Sequence, residues 1–541
     1  MLIAVHFKAA IDAAGTLRDY VIATDGFITS AGSTPANTPV WRRLIDPGFI
    51  ESSIASSTQA GKLLFGLTTA SKGTARINNT DGVFNDLPRF GVAGQDWNVY
   101  FVEDFIPAIF PDGWYKVGTA TIVSMVGDGD TLQVNLKEKF TLFDKPLCPR
   151  FLGTGGIEGI AALTDTAKPV CYGSPMNISP VMIDPYLLIA MVASNGLTHA
   201  AHAKDGGSVI ARIAGADYND EADYDALAAA DVPIGHYICC TTDGVMKLGS
   251  PIVGQLTCDA MRYQYAEERA NPSLVMQDIA ADAAVPGLAL NYTAWNDFEA
   301  WADTVPGGSK VGYYARDDST TFAKALSDIA GCVGAWVGFN RDGEFTVGRI
   351  TDPADGTPEF TIRADQIWTI RRVTSGDPGR GQPYGKIVQK YPKNWTVQSS
   401  GLFGVVPDNV RKELAEQYPL STTYECLNSD DSTPTLTQFA QATDYILESF
   451  AAGRRVTSGG DIEAHVPVPS EDLSVIFGRA RDWIEITVPF SYDIFYSVDL
   501  GIVGTIYADD FGLEAGKQMM VVSIRYELGS EVPKATLTMW G

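Results

Sequence analysis

Short runs that alternate apolar and polar residues, separated by glycine-containing turns, fill the first 145 residues. RDYVIATDGFIT (18–29) and GWYKVGTATIVSMVGDGDTLQVNLKEKF (113–140) both alternate in this way, and Gly127–Asp130 form a hairpin turn inside the second run. A period of two places every second side chain on one face of a sheet. Strands this short and this closely spaced predict a β-barrel or β-sandwich over residues 1–145.

The pattern changes further along the chain of 541 residues, a length that favours about three to four domains. Residues 146–257 hold a glycine cluster, the proline-containing stretch NISPVMIDP and a strand pair that turns at Asp243–Gly244. They predict an irregular inserted segment. Residues 258–359 predict a small helical α+β module, because Asn271 and Pro272 form a helix start and a hairpin turns at Asp342–Gly343.

Strand-like runs return in residues 360–541, which predict a second β-barrel with one long helix. The helix is predicted over PTLTQFAQATDYILESFAAGRR (434–455), where Phe439, Tyr445, Ile446 and Phe450 are spaced for one buried face. The predicted fold class is therefore a multidomain, β-rich α+β protein. It has two barrel or sandwich domains, an inserted irregular segment and a small helical module.

The charge of the chain excludes one class of function. Only 19% of residues are charged, the net charge is −25 and the pI is about 4.5. A protein that grips nucleic acid by its phosphates needs clusters of Lys and Arg. An acidic surface is instead compatible with a wall past which nucleic acid slides, and the low charged fraction indicates a surface partly covered by partners.

Cysteine usage and the N-terminus bear on the compartment. The cysteines are odd in number and irregularly spaced, with no CxxC pair: Cys148, Cys171, Cys239, Cys240, Cys258, Cys332 and Cys426. We expect free thiols in a protein that folds in a reducing compartment. The sequence also predicts no signal peptide and no membrane insertion, and hence a soluble protein made in the cytoplasm.

The glycine cluster Gly153–Gly159 resembles a phosphate-binding loop at first sight. It fits neither GxxxxGK[ST] nor GxGxxG, and GLEAGKQ (512–518) also fails the first of these patterns. We therefore expect tight backbone turns at a domain junction. No GxSxG motif is present for a serine nucleophile.

The sequence signals for a metal site and for acid–base catalysis are equally weak. His199 and His202 could share a helix face with Asp205 nearby, and Asn79–Asp86 resembles part of a calcium loop. A surface segment and a tight turn, respectively, are the favoured interpretations. Paired carboxylates of a glycosidase stay open, because sequence spacing does not report spatial separation. The sequence predicts no catalytic, cofactor-binding or metal-ligating residues and no cofactor.

Several stretches together resemble the tail-tip or baseplate hub proteins of long-tailed, siphovirus-type bacteriophages and prophages. They are GTARINNTDGVFNDLPRFGVAGQDWNVYF (73–101), PRFLGTGGIEGIAALTDTAKPVCYGSPMNISPVMID (149–184), DGVMKLGSPIVGQLTCDA (243–260) and GLEAGKQMMVVSIRYELGSEVPKATLTMWG (512–541), which ends in the family's Leu-x-x-Trp-Gly. Cys258 departs from the small or β-branched residue expected there. The resemblance implies a virion protein, not an enzyme, whose barrel domains form a ring that caps the tail tube.

The resemblance also implies partners: further copies of the chain, a tail-tube or distal tail protein, and central fibre or tip proteins. DNA would only pass through the lumen during genome ejection. Two β-rich parts in one chain favour a trimer that makes a pseudo-six-fold ring, although the two parts show no sequence repeat that aligns. A hexameric distal tail protein, an envelope-glycan hydrolase and a glycan-binding adhesin for host attachment are the alternatives.

Overall fold

The computed structural model describes residues 2–54, 65–70, 73–103, 106–127, 130–197, 199–213, 222–262, 270–304, 310–373, 381–428, 433–449, 454–456, 462–464, 470–529 and 532–541. These residues form a multidomain, β-rich α+β protein, as predicted. Part of the turn predicted at Gly127–Asp130 lies outside the described residues. The two strands that this turn joins are present.

The first part of the chain contains one large sheet and several short strands outside it. Its elements are β1 (Leu2–Ala10), β2 (Leu17–Ala23), β3 (Phe27–Ile28), β4 (Pro39–Val40), β5 (Leu44–Asp46), β6 (Phe49–Ser53), β7 (Gly66–Leu67), β8 (Thr69–Ala70), β9 (Thr74–Asn78), α1 (Leu87–Phe90), β10 (Asp96–Val102), β11 (Tyr115–Gly127) and β12 (Thr131–Lys137). The N-terminal sheet has the strand order β2-β1-β10-β11-β12-β9-β5. Alternating burial along β9 and β12 agrees with the predicted period of two.

The next part consists of short strands and loops. Its elements are β13 (Val170–Gly173), β14 (Val181–Asp184), β15 (Ile189–Met191), β16 (His199–Asp205), β17 (Ser208–Val209), β18 (Ala211–Arg212), α2 (Tyr224–Ala229), β19 (His236–Cys240), β20 (Val245–Leu248) and β21 (Leu256–Met261). The predicted turn at Asp243–Gly244 joins the antiparallel strands β19 and β20, and Gly244 has a φ of 62°. That turn is confirmed.

Three helices and a hairpin follow, as predicted. The elements are α3 (Pro272–Asp282), α4 (Tyr292–Thr304), β22 (Gly312–Ala315), α5 (Phe322–Cys332), β23 (Ala335–Phe339) and β24 (Phe345–Arg349). The side chain of Asn271 caps α3 by accepting a hydrogen bond from the N–H of Ser273 at 2.9 Å, with Pro272 at the first helical position. Ile279, Trp295 and Leu326 are buried where the helices meet.

The last part forms a second large sheet and a smaller one. Its elements are β25 (Phe360–Ile362), β26 (Thr369–Arg372), β27 (Lys386–Tyr391), α6 (Asp408–Ala415), β28 (Leu420–Glu425), α7 (Thr435–Gln438), β29 (Asp444–Glu448), β30 (Arg454–Val456), β31 (Ile462–Ala464), α8 (Ser470–Phe477), β32 (Trp483–Pro489), α9 (Tyr492–Phe495), β33 (Val503–Ile506), β34 (Lys517–Glu527) and β35 (Lys534–Trp540). The C-terminal sheet has the strand order β25-β33-β34-β35-β32-β26.

The two large sheets repeat one topology. In chain order, β5, β9, α1, β10, β11 and β12 correspond to β26, β32, α9, β33, β34 and β35. The spatial orders β10-β11-β12-β9-β5 and β33-β34-β35-β32-β26 match, and every neighbouring pair is antiparallel. We call each set a repeat unit. The sequence did not reveal this repeat.

A β-bulge marks the same place in both repeat units. The register of β11 against β12 shifts between Ile122 and Ser124, and the register of β34 against β35 shifts between Val521 and Ser523. The extra residue is a valine in each case, Val123 or Val522. A bulge bends its strand and increases the local twist, so both sheets curve at equivalent points.

The two sheets share one core instead of enclosing two separate ones. The rings of Phe101 and Phe490 meet edge to face with centroids 4.6 Å apart. Strand β6, from the first part of the chain, pairs with β34 of the C-terminal sheet, from Ser53↔Ser523 to Phe49↔Glu527. The first and last parts of the chain are therefore interlocked. The proposed boundaries at 145, 257 and 359 stay predictions.

The long helix predicted over residues 434–455 is wrong. The described residues there form the single turn α7, then β29, which runs parallel to β27 with Tyr445 beside Ile387, and the start of β30. Leu447 is buried and Ile446 is half exposed, the reverse of the predicted helical stripe. Tyr and Ile pack well on a pleated surface, and pairing with β27 outweighs the helix propensity of the neighbouring residues. Phe450 lies outside the described residues.

Candidate functional site: a polar junction between three parts of the chain

The turn between β23 and β24 projects from the helical module towards both large sheets. Asn340 closes this turn: its N–H donates to the carbonyl of Glu344 at 3.0 Å, and its side-chain oxygen accepts from the N–H of Glu344 at 2.9 Å. Gly343 adopts a φ of 78°, which L-amino acids with a side chain rarely adopt. The predicted turn at Asp342–Gly343 is confirmed, and it holds Arg341 in a defined position.

The N-terminal sheet binds the backbone of this turn. Lys116 Nζ donates to the carbonyl of Asp342 at 2.7 Å, and Thr119 Oγ1 donates to the carbonyl of Arg341 at 3.3 Å. Lys139 Nζ reaches the carbonyl of Gly343 at 3.2 Å and the carboxylate of Asp96 at 3.1 Å. Carbonyl groups at the tip of a hairpin lack strand partners, and here side chains of β11 and of Lys139, which follows β12, satisfy them.

Arg341 connects the N-terminal sheet to the C-terminal part. Its Nη1 donates to the hydroxyl of Tyr115 on β11 at 3.0 Å and to the carbonyl of Phe495 at the end of α9 at 3.1 Å. Tyr115 itself donates to the same Phe495 carbonyl. The Arg341 guanidinium also lies 5.1 Å from the centre of the Tyr115 ring. One side chain thus joins three distant parts of the chain.

Asp499 supplies the negative charge of this junction. Its Oδ2 accepts a hydrogen bond from the backbone N–H of Arg341 at 3.3 Å. Burial raises the pKa of Asp499, and backbone N–H groups of Leu500 and Arg341 oppose that rise. Burial opposes the charge of Arg341 as well, but Tyr115 and Asp499 hold the pKa of Arg341 above its ordinary value. The junction therefore contains an ionised arginine that depends on its neighbours.

A cleft of about 60 Å³ lies beside the junction. Its lining includes Glu51, Lys139, Phe339, Asp499 and Tyr526. Sites for drug-sized ligands and cofactors occupy about 300–1,000 Å³. The cleft has room for a few water molecules.

A second junction ties the inserted part to the C-terminal part. The buried side chain of Asn177 donates through Nδ2 to Asn394 Oδ1 at 2.8 Å and to the carbonyl of Thr396 at 2.7 Å. Asn394 Nδ2 in turn donates to the carbonyl of Leu414 at 3.0 Å. Hydrogen bonds between buried amides in this way fix the relative positions of the two segments.

The glycine cluster forms tight turns, as expected, and uses its own N–H groups. Gly153, Gly155, Gly156 and Gly159 all have positive φ values, between 59° and 95°. The N–H of Gly153 donates to the carbonyl of Glu158 at 2.9 Å, and that of Gly155 donates to the carbonyl of Gly159 at 2.8 Å. The Glu158 carboxylate accepts from Lys168 Nζ at 2.6 Å. These N–H groups are therefore not directed at a phosphate. That the cluster is a joint between domains stays a prediction.

The two candidate metal-binding histidines lie on a strand. His199 and His202 lie on strand β16 and not on a helix, so the disfavoured alternative of a shared helix face is wrong. His202 Nδ1 lies 2.9 Å from Asp259 Oδ2. Within the described ranges, no group of three or more His, Cys, Asp and Glu side chains could hold a metal ion. No helix of those ranges is long and apolar enough to cross a membrane.

The turn prediction for residues 79–86 and the thiol prediction are confirmed. Asn79 Oδ1 accepts from the N–H of Phe84 at 2.9 Å, Gly82 has a φ of 69°, and Asp81 Oδ1 accepts from Arg43 Nη1 at 2.8 Å. That bond from Arg43 lowers the pKa of Asp81 to about 2. All seven cysteines are buried free thiols.

Sequence reasoning missed Arg341, since one arginine in a predicted turn carries no signal of its distant partners.

Solved structures of tail proteins resemble the chain over nearly its whole length. The prophage MuSo2 43 kDa tail protein of Shewanella oneidensis is 10% identical with a TM-score of 0.39, covering 99% of this chain and 98% of that chain. The tail protein of Neisseria meningitidis MC58 is 10% identical with a TM-score of 0.39 and coverages of 99% and 96%. Prophage tail protein gp18 of Listeria monocytogenes EGD-e is 8% identical with a TM-score of 0.38 and coverages of 99% and 94%.

No protein-family model and no curated protein matches the chain. The chain resembles phage and prophage tail proteins, the class indicated by the sequence motifs.

Proposed function

We propose that this chain is a structural protein of a phage tail tip, a baseplate hub whose repeat units form a ring around the genome's path. The observation that carries the proposal is the matching topology of the two large sheets, down to the bulge at Val123 and Val522. A duplicated unit lets three chains present six similar sheets to a six-fold tube. The closed cyclic symmetry that a tube requires is then kept.

The junctions favour a mechanical role for the chain. Arg341 joins the helical module to both large sheets, and Asn177 joins the inserted part to the C-terminal part. A peripheral module held in this way passes a load to the ring instead of moving freely. The ring would cap the tail tube and connect it to the central fibre and to peripheral tip proteins in the virion.

The net charge of −25 agrees with a lumen through which DNA passes without adhering. A ring lined mainly with Lys and Arg would contradict that part of the proposal.

We assign no catalytic residue, and host polysaccharide mixed with purified protein should stay intact. Turnover of the polysaccharide would instead support the hydrolase alternative.

The experiment is to purify particles from a cell that produces them and to measure the copies of this chain per tail by quantitative mass spectrometry. Three copies are expected for a hub with two repeat units per chain. Six copies, with one sheet of each chain in the ring, would make it a distal tail protein.

A further inference from the structure

Strands β3 and β4 form an isolated ribbon outside the N-terminal sheet. Phe27 pairs with Val40, and Ile28 pairs with Pro39. Val40 packs into a small core with Phe110 and Trp114, while Phe27 lies against that core with its ring 5.2 Å from that of Trp114. Successive side chains of a strand point to opposite faces, so Ile28, Pro39 and the following Trp41 lie on the outer face.

This outer face, which we call the platform (Ile28, Pro39 and Trp41), is apolar and open. Ile28 is 77% exposed and Trp41 is 64% exposed. The residues from Thr24 to Trp41 include one charged side chain, Asp25, in a chain whose net charge is −25. An uncharged surface of this kind on an acidic protein is a place where a second protein can approach without repulsion.

Hydrogen bonds beneath the platform hold its shape. Thr29 Oγ1 donates to the carbonyl of Pro35 at 2.7 Å and accepts from the N–H of Thr38 at 2.8 Å. Ser33 Oγ accepts from the N–H of Phe110 at 2.8 Å, which ties the loop to residues 106–114. A surface that is already ordered loses little conformational entropy when a partner binds.

Arg42 adds a charge next to Trp41. It is exposed, and in the described part of the chain it forms no ion pair or side-chain hydrogen bond. Trp and Arg are the side chains most enriched among residues that dominate binding energy at protein interfaces. An exposed arginine beside an exposed indole fits a partner that offers an apolar pocket with a carboxylate at its rim.

We propose that the platform and Arg42 dock a different protein of the particle, through an apolar pocket that takes Trp41 and an Asp or Glu that pairs with Arg42. This inference rests on the proposed function. A glycan fits less well, because the polar groups Thr29 and Ser33 next to the platform are buried and bonded internally. A membrane surface would call for a cluster of basic residues around the apolar face.

The test replaces Ile28 by p-benzoylphenylalanine in the full chain, produced in the cell that makes the particles. Purified particles are irradiated, and the cross-linked peptides are identified by mass spectrometry. We expect cross-links to one segment of another particle protein, with an Asp or Glu close to the cross-linked residue. Adding Trp41→Ala should lower the cross-link yield at least about tenfold. Tyr292→Ala, which removes an aromatic side chain of 65% exposure elsewhere, should leave it unchanged.

A charge exchange tests the second contact. Arg42→Glu should lower the yield as Trp41→Ala does, and Arg42→Lys should retain most of it. Because these side chains are exposed, the melting temperature of each purified variant should match that of the parent. Cross-links only to another copy of this chain, only to added polysaccharide, or none at all in particles that contain the chain would overturn the inference alone. Absence of the chain from the particles would contradict the proposed function and this inference together.

Discussion

Gly94 and Gly501 occupy equivalent positions in the two repeat units. Gly94 donates its N–H to the carbonyl of Ile122 at 2.8 Å, and Gly501 donates its N–H to the carbonyl of Val521 at 2.8 Å. Ile122 and Val521 are the residues directly before the two bulges. Both glycines have left-handed backbones, with φ values of 83° and 79°. The repetition therefore extends from the strand order to single hydrogen bonds.

These two glycines should respond differently to alanine. Space is open around a Cβ at Gly94, so Gly94→Ala should cost about 1–2 kcal/mol from backbone strain alone. A Cβ at Gly501 would lie 2.8 Å from the Trp336 ring, so Gly501→Ala should cost about 1–3 kcal/mol more. Urea unfolding of the two variants measures the difference. Equal losses would show that Trp336 is not packed against this turn.

Removal of the Arg341 charge should loosen the junction of three parts. Arg341→Met retains length but leaves the Tyr115 hydroxyl, the Phe495 carbonyl and the buried Asp499 without their cation. We expect a loss of about 1.5–3 kcal/mol in the free energy of unfolding. Asp342→Ala is the matched control: the charge of this exposed residue favours the charged forms of Lys116 and Arg341 only from the solvent side, so its loss should cost less than about 1 kcal/mol. A loss as small for Arg341→Met would mean that the junction does not hold the module.

Asp278 on α3 should make stability depend on pH. Burial raises its pKa to about 6, with Arg262 opposing and Asp282 adding to the rise. The folded state therefore binds a proton more tightly than the unfolded state, and stability falls as the pH rises from about 4 to 6. Asp278→Asn should gain about 1 kcal/mol at pH 7.5, after allowance for solvent screening, and little at pH 4.

Thermal unfolding at the two pH values checks the Asp278 prediction. The same substitution at the exposed Asp297 on α4 is the control and should leave the melting temperature unchanged at both. A gain for Asp278→Asn that is equal at pH 4 and pH 7.5 would contradict the electrostatic explanation.

The strand assignment of Asp444–Glu448 is testable with two neighbouring residues. Leu447 is 3% exposed and Ile446 is 51% exposed. Leu447→Ala should therefore cost about 2–4 kcal/mol, and Ile446→Ala should cost less than about 1 kcal/mol. Urea unfolding measures both losses. The predicted helix buries Ile446 instead, so a larger loss for Ile446→Ala than for Leu447→Ala would support the helix and contradict the strand.

Local chemistry made part of the structure predictable from the sequence. Asn271 followed by Pro272 marks a helix start whatever surrounds it, and Asp342–Gly343 marks a hairpin turn. The segment around Tyr445 was predicted wrongly because its partner strand β27 lies far away in the sequence. The repeat stayed hidden for a related reason. A bulge needs one extra residue in a strand, and the runs IVSM (122–125) and VVSI (521–524) around the two bulges are too short to identify a repeat by themselves.

The Arg341 junction was unpredictable for the same physical reason. Its partners Tyr115 and Phe495 are separated from it by 226 and 154 positions in the sequence. No local pattern reports contacts of that range. In contrast, the sequence alone showed that the glycine cluster matches no nucleotide-binding motif. The positive φ values of Gly153 and Gly159 agree with the tight turns predicted there.

The copy number of the chain in a purified, mature tail tests the central claim most directly. Quantitative mass spectrometry against an isotope-labelled standard, together with the symmetry of the tip in a cryo-EM map, gives that number. Two repeat units in each chain predict three copies, with both large sheets in one pseudo-six-fold ring. Six copies, or three copies with only one of the two sheets in the ring, would contradict the account.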